Sequence, residues 1–186
     1  MSAARFPNGL EFRAAGPEIR AASGRNLHGL IPYNQAADIG GQFTETIARG
    51  AFASSLAAQR DVLALRDHDN SKLLGRSSSG TLSLADTPEG LSFTLSLPAT
   101  QLGDETLELA RRGDLKGCSF GFSVPKGGDE WRGDERTLRN INLHEISVVA
   151  VPAYGGTSLA LRSRQFIGGT SPAARLRLLQ MMGGRI

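Results

Sequence analysis

Hydrolysis at a carbonyl needs a nucleophile, a base and a group that holds the base. Ser119, His68 and Glu145 are residues of those types. A serine hydroxyl is weakly nucleophilic until a histidine takes its proton, and the imidazole needs a third group to fix its tautomer and steady its charged form. Ser119 lies in Lys116-Gly117-Cys118-Ser119-Phe120-Gly121-Phe122-Ser123-Val124. Cys118, Phe120, Phe122 and Val124 alternate there with Ser119, Gly121 and Ser123, the period of a strand with one apolar face. Glycines on both sides of the Ser119 hydroxyl would let a substrate backbone come close. His68 follows the apolar run Val62–Leu65, held between Asp67 and Asp69. Glu145 interrupts Leu143–Val149, an otherwise apolar strand, where a carboxylate is costly unless a partner takes its charge.

Each residue also has a plainer reading. Most strand serines are solvated, and a histidine between two aspartates is more often part of a charged surface loop. Asp67-His68-Asp69 could ligate a metal, but no second His or Cys cluster supports it. Cys118 shares strand parity with Phe120 and Phe122, so it reads as a small core residue and not as a nucleophile. His28 and His144 read as structural. Gly117-Cys118-Ser119-Phe120-Gly121 also matches the G-x-S-x-G elbow of α/β-hydrolases. That match fails, because no helix follows and the histidine precedes the serine.

The elements that must position these residues are mostly short strands. A segment from Leu10 to Ala14 is one. Glu18 to Pro32 reads as a long edge strand with a bulge at Ser23-Gly24. Asn34 to Gly41 reads as a loop, Gln42–Ile47 as a strand and Ala51–Gln59 as a helix. Thr81–Leu84 and Leu91–Leu97, joined by Asp86-Thr87-Pro88-Glu89-Gly90, form a hairpin. Asp104–Arg112 is a helix with Asp104 as N-cap and Gly113 as its stop. Pro125–Asp134 reads as a loop, and Thr137–Ile141 is expected to pair with Leu143–Val151. The fold class is mainly β with α: an antiparallel β-barrel, closed or nearly so, surrounded by a few short helices.

At 186 residues the chain suits one domain, and 40% hydrophobic content is enough for a substantial core. Expected divisions are an N-terminal lead-in (1–17), a main domain (18–162) and a flexible linker with a basic amphipathic tail (163–186). The net charge of +3 comes from scattered cations, so no nucleic-acid surface is expected. One cysteine permits no internal disulfide. No apolar run reaches membrane-span length and no signal core opens the chain, which reads as soluble.

Several blocks taken in order resemble the prohead protease family of tailed phages. They are Phe43-Thr44-Glu45 with Ile47 and Gly50-Ala51-Phe52, then Asp67-His68-Asp69 with Leu74-Gly75-Arg76. Gly117-Cys118-Ser119-Phe120-Gly121-Phe122 follows, and then Glu145-Ile146-Ser147-Val148-Val149 with Pro152-Ala153-Tyr154. They span roughly residues 26–162. The resemblance implies a serine endopeptidase that matures capsids, with the fold of the herpesvirus assemblins, no cofactor and no metal. It places the histidine on His68 and the nucleophile on Ser119, and puts Glu145-Ile146-Ser147 in the strand that carries the assemblins' second histidine. It implies oxyanion donors near Ala150–Tyr154. Implied substrates are the major capsid protein with its scaffold segment and the protease's own ends, with possible self-association. The implied location is the bacterial host cytoplasm, inside the assembling prohead. A capsid assembly factor with the same fold and no activity, and a bacterial esterase, are the competing readings.

Overall fold

The computed structural model describes residues 9–15 and 19–150. The expected tail at 163–186 and most of the expected oxyanion segment at Ala150–Tyr154 fall outside them. Thirteen strands and two helices are formed among the described residues. They are β1 (Leu10–Ala15), β2 (Arg20–Ala21), β3 (Asn26–Pro32), β4 (Ala36–Asp38), β5 (Thr44–Ile47), α1 (Ala53–Ala57), β6 (Leu63–Arg66) and β7 (Asp69–Arg76). β8 (Leu82–Asp86), β9 (Gly90–Ser96), α2 (Gln101–Arg112), β10 (Gly117–Ser123), β11 (Asp129–Arg132), β12 (Glu135–Leu138) and β13 (Asn142–Val149) complete the set.

The strands form three sheets, ordered β1-β10-β13-β6-β7, β11-β12-β5-β4 and β2-β3-β9-β8. The expectation of a mainly β fold with few helices holds. None of these sheets closes on itself, so a closed barrel is not formed by hydrogen bonding among the described residues. The pairing is also not wholly antiparallel, because β13 runs parallel to β6 and β12 parallel to β5. Parallel neighbours need long crossovers, which period-2 patterning does not reveal.

Local departures have local causes. Glu18–Pro32 is not one bulged strand. Gly24 at φ +68 turns the chain, and β2 folds back on β3. β3 is then internal, paired on its other side with β9. β12 pairs with β11 and β5 instead of with the strand that follows it. The Gly-rich stretch around Trp131 is thus the first arm of a hairpin. Two further strands, β4 and β7, lie in segments whose polar composition hides them. The second helix starts earlier than expected: Thr100, not Asp104, is its N-cap and accepts from the Gly103 N–H at 3.3 Å, and Gly113 in the left-handed region closes it.

The core lies under β10. Cys118, Phe120 and Phe122 are all buried, as expected for that face. Phe120 stacks on Phe122 and meets Phe52 edge to face, with centroids 5.2 and 5.9 Å apart. No helix among the described residues is long and apolar enough to cross a membrane.

Candidate active site

β10 lies between β1 and β13, and β13 lies between β10 and β6. Register then decides which side chains meet. Ser119 faces Ser147 and Gly121 faces Glu145 across the β10–β13 pair, so Ser119 and Glu145 share one face. Past Gly121 the register shifts, leaving His144 as an extra residue on β13 beside Glu145.

His68 arrives from the other side. β6 and β7 form a hairpin in which Arg66 opposes Asp69, so Asp67 and His68 are its two turn residues. Both have positive φ, 55° and 59°, as a type I′ turn demands. Asp and His tolerate that region better than most residues, but it still costs energy, and the surroundings must enforce it. They do so through two bonds. The Asp67 N–H donates to the Val148 carbonyl at 3.1 Å, and the His68 N–H donates to the Ser147 hydroxyl at 3.1 Å.

The imidazole is thereby aimed along the sheet. Its Nδ1 meets Glu145 Oε1, and its Nε2 lies 2.7 Å from Ser119 Oγ. A carboxylate at Nδ1 holds the proton there and leaves Nε2 as the acceptor, the state a general base needs. Ser119 and Glu145 are almost wholly buried, and His68 is about one-fifth exposed. Gly121 makes the arrangement possible. A Cβ on it would come within 2.7 Å of Glu145 Cγ and 2.9 Å of Phe12 Cε1. The glycine expected to admit a substrate backbone instead makes room for the carboxylate side chain and an aromatic ring.

The three residues singled out in the sequence therefore lie in one hydrogen-bonded chain. Neither neighbour of His68 turns toward its ring. Asp69 binds Ser71 and Lys72, and Asp67 faces Arg66. Cys118 points into the core, where burial and then the Glu145 charge push its thiol far above the ordinary range. His144 contacts the Ser123 hydroxyl at 2.8 Å. Burial and Arg60 hold its imidazole below the usual value, with Glu145 opposing.

Two contributors escaped the sequence. Ser147 supports the backbone of His68, and its parity with Glu145 was the available signal. β1 was the other, expected as a short strand of the lead-in but not as part of the site. Ala14 opposes Ser119, the Ser119 hydroxyl donates to the Arg13 carbonyl at 2.9 Å, and the Phe12 ring packs edge-on against His68 with centroids 4.7 Å apart. On its other face β1 sends Glu11 and Arg13 into a buried ion cluster. Arg136 binds Glu11, Glu45 and Asp129, while Arg13 binds Glu11 and Glu45. Burial pushes the Glu11 carboxyl up, but Arg136 and Arg13 outweigh it and hold the group below its ordinary range.

Comparison with known proteins agrees with this architecture. The bacteriophage T4 capsid assembly protease has a similar fold, with a TM-score of 0.51, 9% identity, and coverage of 77% of this chain and 98% of that one. At that identity the likeness speaks to fold alone. No curated protein matches. A family profile described as caudovirus prohead serine protease matches residues 19–169. Matching most of the sequence, it shows that the chain belongs to the caudovirus prohead serine protease family.

Proposed function

We propose that this chain is a serine endopeptidase in which Ser119 attacks a peptide carbonyl. His68 takes the serine proton and returns it to the leaving amine, and Glu145 orients His68 and stabilises its charged form. The observation that carries the reading is the continuous contact from Glu145 through both ring nitrogens of His68 to Ser119 Oγ, 2.7 Å from Nε2. The strained Asp67-His68 turn supports it, since two hydrogen bonds hold a costly backbone where the base must sit.

Membership of the family supports a role inside the assembling prohead in the bacterial host, with the major capsid protein and its scaffold segment as substrates. The same reading divides the chain into a protease domain to about residue 162 and a detachable basic tail. The test is an intact-mass time course of the wild-type chain and Ser119→Ala with capsid protein, alongside labelling by a serine-directed phosphonate. Wild type should cut the capsid protein and gain one adduct on Ser119, while Ser119→Ala does neither. Equal cutting by both would overturn the assignment of Ser119. Absence of cutting and of labelling would favour the assembly factor without activity.

A further inference from the structure

Ser147 is wholly buried in β13, in a strand slot that an apolar side chain would fill without any polar group to satisfy. Its neighbours across the sheet are Ser119 on β10 and Leu65 on β6. We propose that Ser147 is a positioning residue for the reaction: its hydroxyl ties the main chain of His68 to the carboxylate of Glu145 and so fixes the imidazole between acid and nucleophile. The proposal rests on the assignment of Ser119, His68 and Glu145 made above.

The hydroxyl touches both things that place the base. Ser147 Oγ accepts from the His68 N–H at 3.1 Å and donates to Glu145 Oε1 over a longer 3.5 Å. A hydroxyl can do both at once, with its lone pairs toward one partner and its proton toward the other. Oε1 is also the atom that meets His68 Nδ1. The contacts therefore close a ring, from Oγ to the His68 main chain, through its side chain to Nδ1, and back by way of Oε1. Inside that ring the imidazole cannot swing without stretching a contact. The turn makes such a hold necessary. The β6–β13 ladder ends where Arg66 opposes Val148, and the Asp67 N–H bond to the Val148 carbonyl secures only the next residue. His68 comes one position later at φ 59°, a conformation its surroundings must enforce, and the Ser147 hydroxyl carries the hold on to it.

Both bonds of the hydroxyl go to protein groups, so its effect should fall on the chemical step and not on substrate binding. A base displaced by about 1 Å can lose about 10²-fold in rate. Ser147→Ala should therefore lower kcat by about 10–100-fold and leave KM within about twofold. Threonine keeps the hydroxyl and suits a strand, so Ser147→Thr should recover most of that loss. A serine kept only for stability would behave differently, because its removal would lower the melting temperature and spare the rate of the folded enzyme.

Two measurements on the full chain separate positioning from stability. The first is peptide kinetics on wild type, Ser147→Ala and Ser147→Thr, with Cys118→Ala as a buried truncation beside the nucleophile that should keep its rate. Ser147→Cys, similar in size but a poor acceptor, should match Ser147→Ala and stands in for it if the alanine variant does not fold. The second reads the ring itself. The chain has three histidines, so two-bond proton–nitrogen spectra of histidine-labelled protein resolve each imidazole, and His68 is assigned from its absence in His68→Ala. The neutral His68 ring should carry its proton on Nδ1 in wild type and in Ser147→Thr, and should show mixed or averaged tautomers in Ser147→Ala. An unchanged kcat in folded Ser147→Ala would overturn the proposal, as would a His68 tautomer that does not respond to the substitution. Absence of turnover and of phosphonate labelling in wild type would instead sink the nucleophile assignment. The spectra need no substrate and would still show whether Ser147 holds the ring.

Discussion

Each of the three aligned residues depends on a neighbour that does no chemistry. Ser119→Ala or His68→Ala should cut peptidase activity by about 10⁴–10⁶-fold, as in other interdependent triads, and Glu145→Gln by less, because nucleophile and base remain. Rates of each variant on one peptide substrate check this. Unchanged turnover in Glu145→Gln beside a dead Asp67→Asn would move the third role to Asp67. Gly121→Ala should be nearly as damaging as the glutamate change, because its methyl claims the space of Glu145 Cγ. A full rate in that variant would mean that the carboxylate has another place to stand. Cys118→Ala should keep activity and lose roughly 1 kcal/mol of stability in a denaturant titration, the cost of a small core truncation. The residues themselves were readable because a charge in an apolar strand and a serine between glycines break a pattern. What that parity could not disclose was the purpose of Gly121, since clearance for a side chain and clearance for a ligand look alike in sequence.

The β6–β7 turn is the element on which the base depends. A type I′ turn accepts Asn or Gly readily, so Asp67→Asn or Asp67→Gly should preserve activity. Asp67→Val should lose both stability and rate, because a β-branched residue resists positive φ. Thermal melts and peptide kinetics on the three variants give the answer, and a fully active Asp67→Val would show that the turn is not held as described. Strand alternation made β5, β6, β9, β10 and β13 legible. It failed for β4, β7 and β11, whose residues are largely exposed or polar and carry no apolar stripe. The partners of β12 were misjudged because sequence adjacency suggests a hairpin, whereas its observed neighbour β5 lies far back in the chain.

Across the whole molecule, the ion cluster joins β1, β5, β11 and β12. Arg136→Ala should cost about 3–5 kcal/mol, measured by denaturant unfolding, because Glu11 and Glu45 would be left buried without it. Acid should act on the same cluster. The Glu11 carboxyl lies below its ordinary 4.5 in the folded chain, so its stabilising contribution is present above that value and is lost as pH falls through the lower one. Exchange at residues 10–15 should therefore accelerate below about pH 4.5 before the rest of the sheet loosens, and uniform acid unfolding would contradict this. No sequence pattern announces such a cluster, since its members are scattered and each alone reads as a surface charge. Sheet order carries one more consequence, for the chain as it is being made. β6 and β10 never touch as neighbours, and only β13, the last described strand, bridges them. The proposed base and nucleophile therefore have no fixed spacing until that strand has left the ribosome and inserted parallel to β6. On the proposed function a growing chain would then be unable to cut its neighbours, and hydrolytic competence would arrive only once β13 has been made.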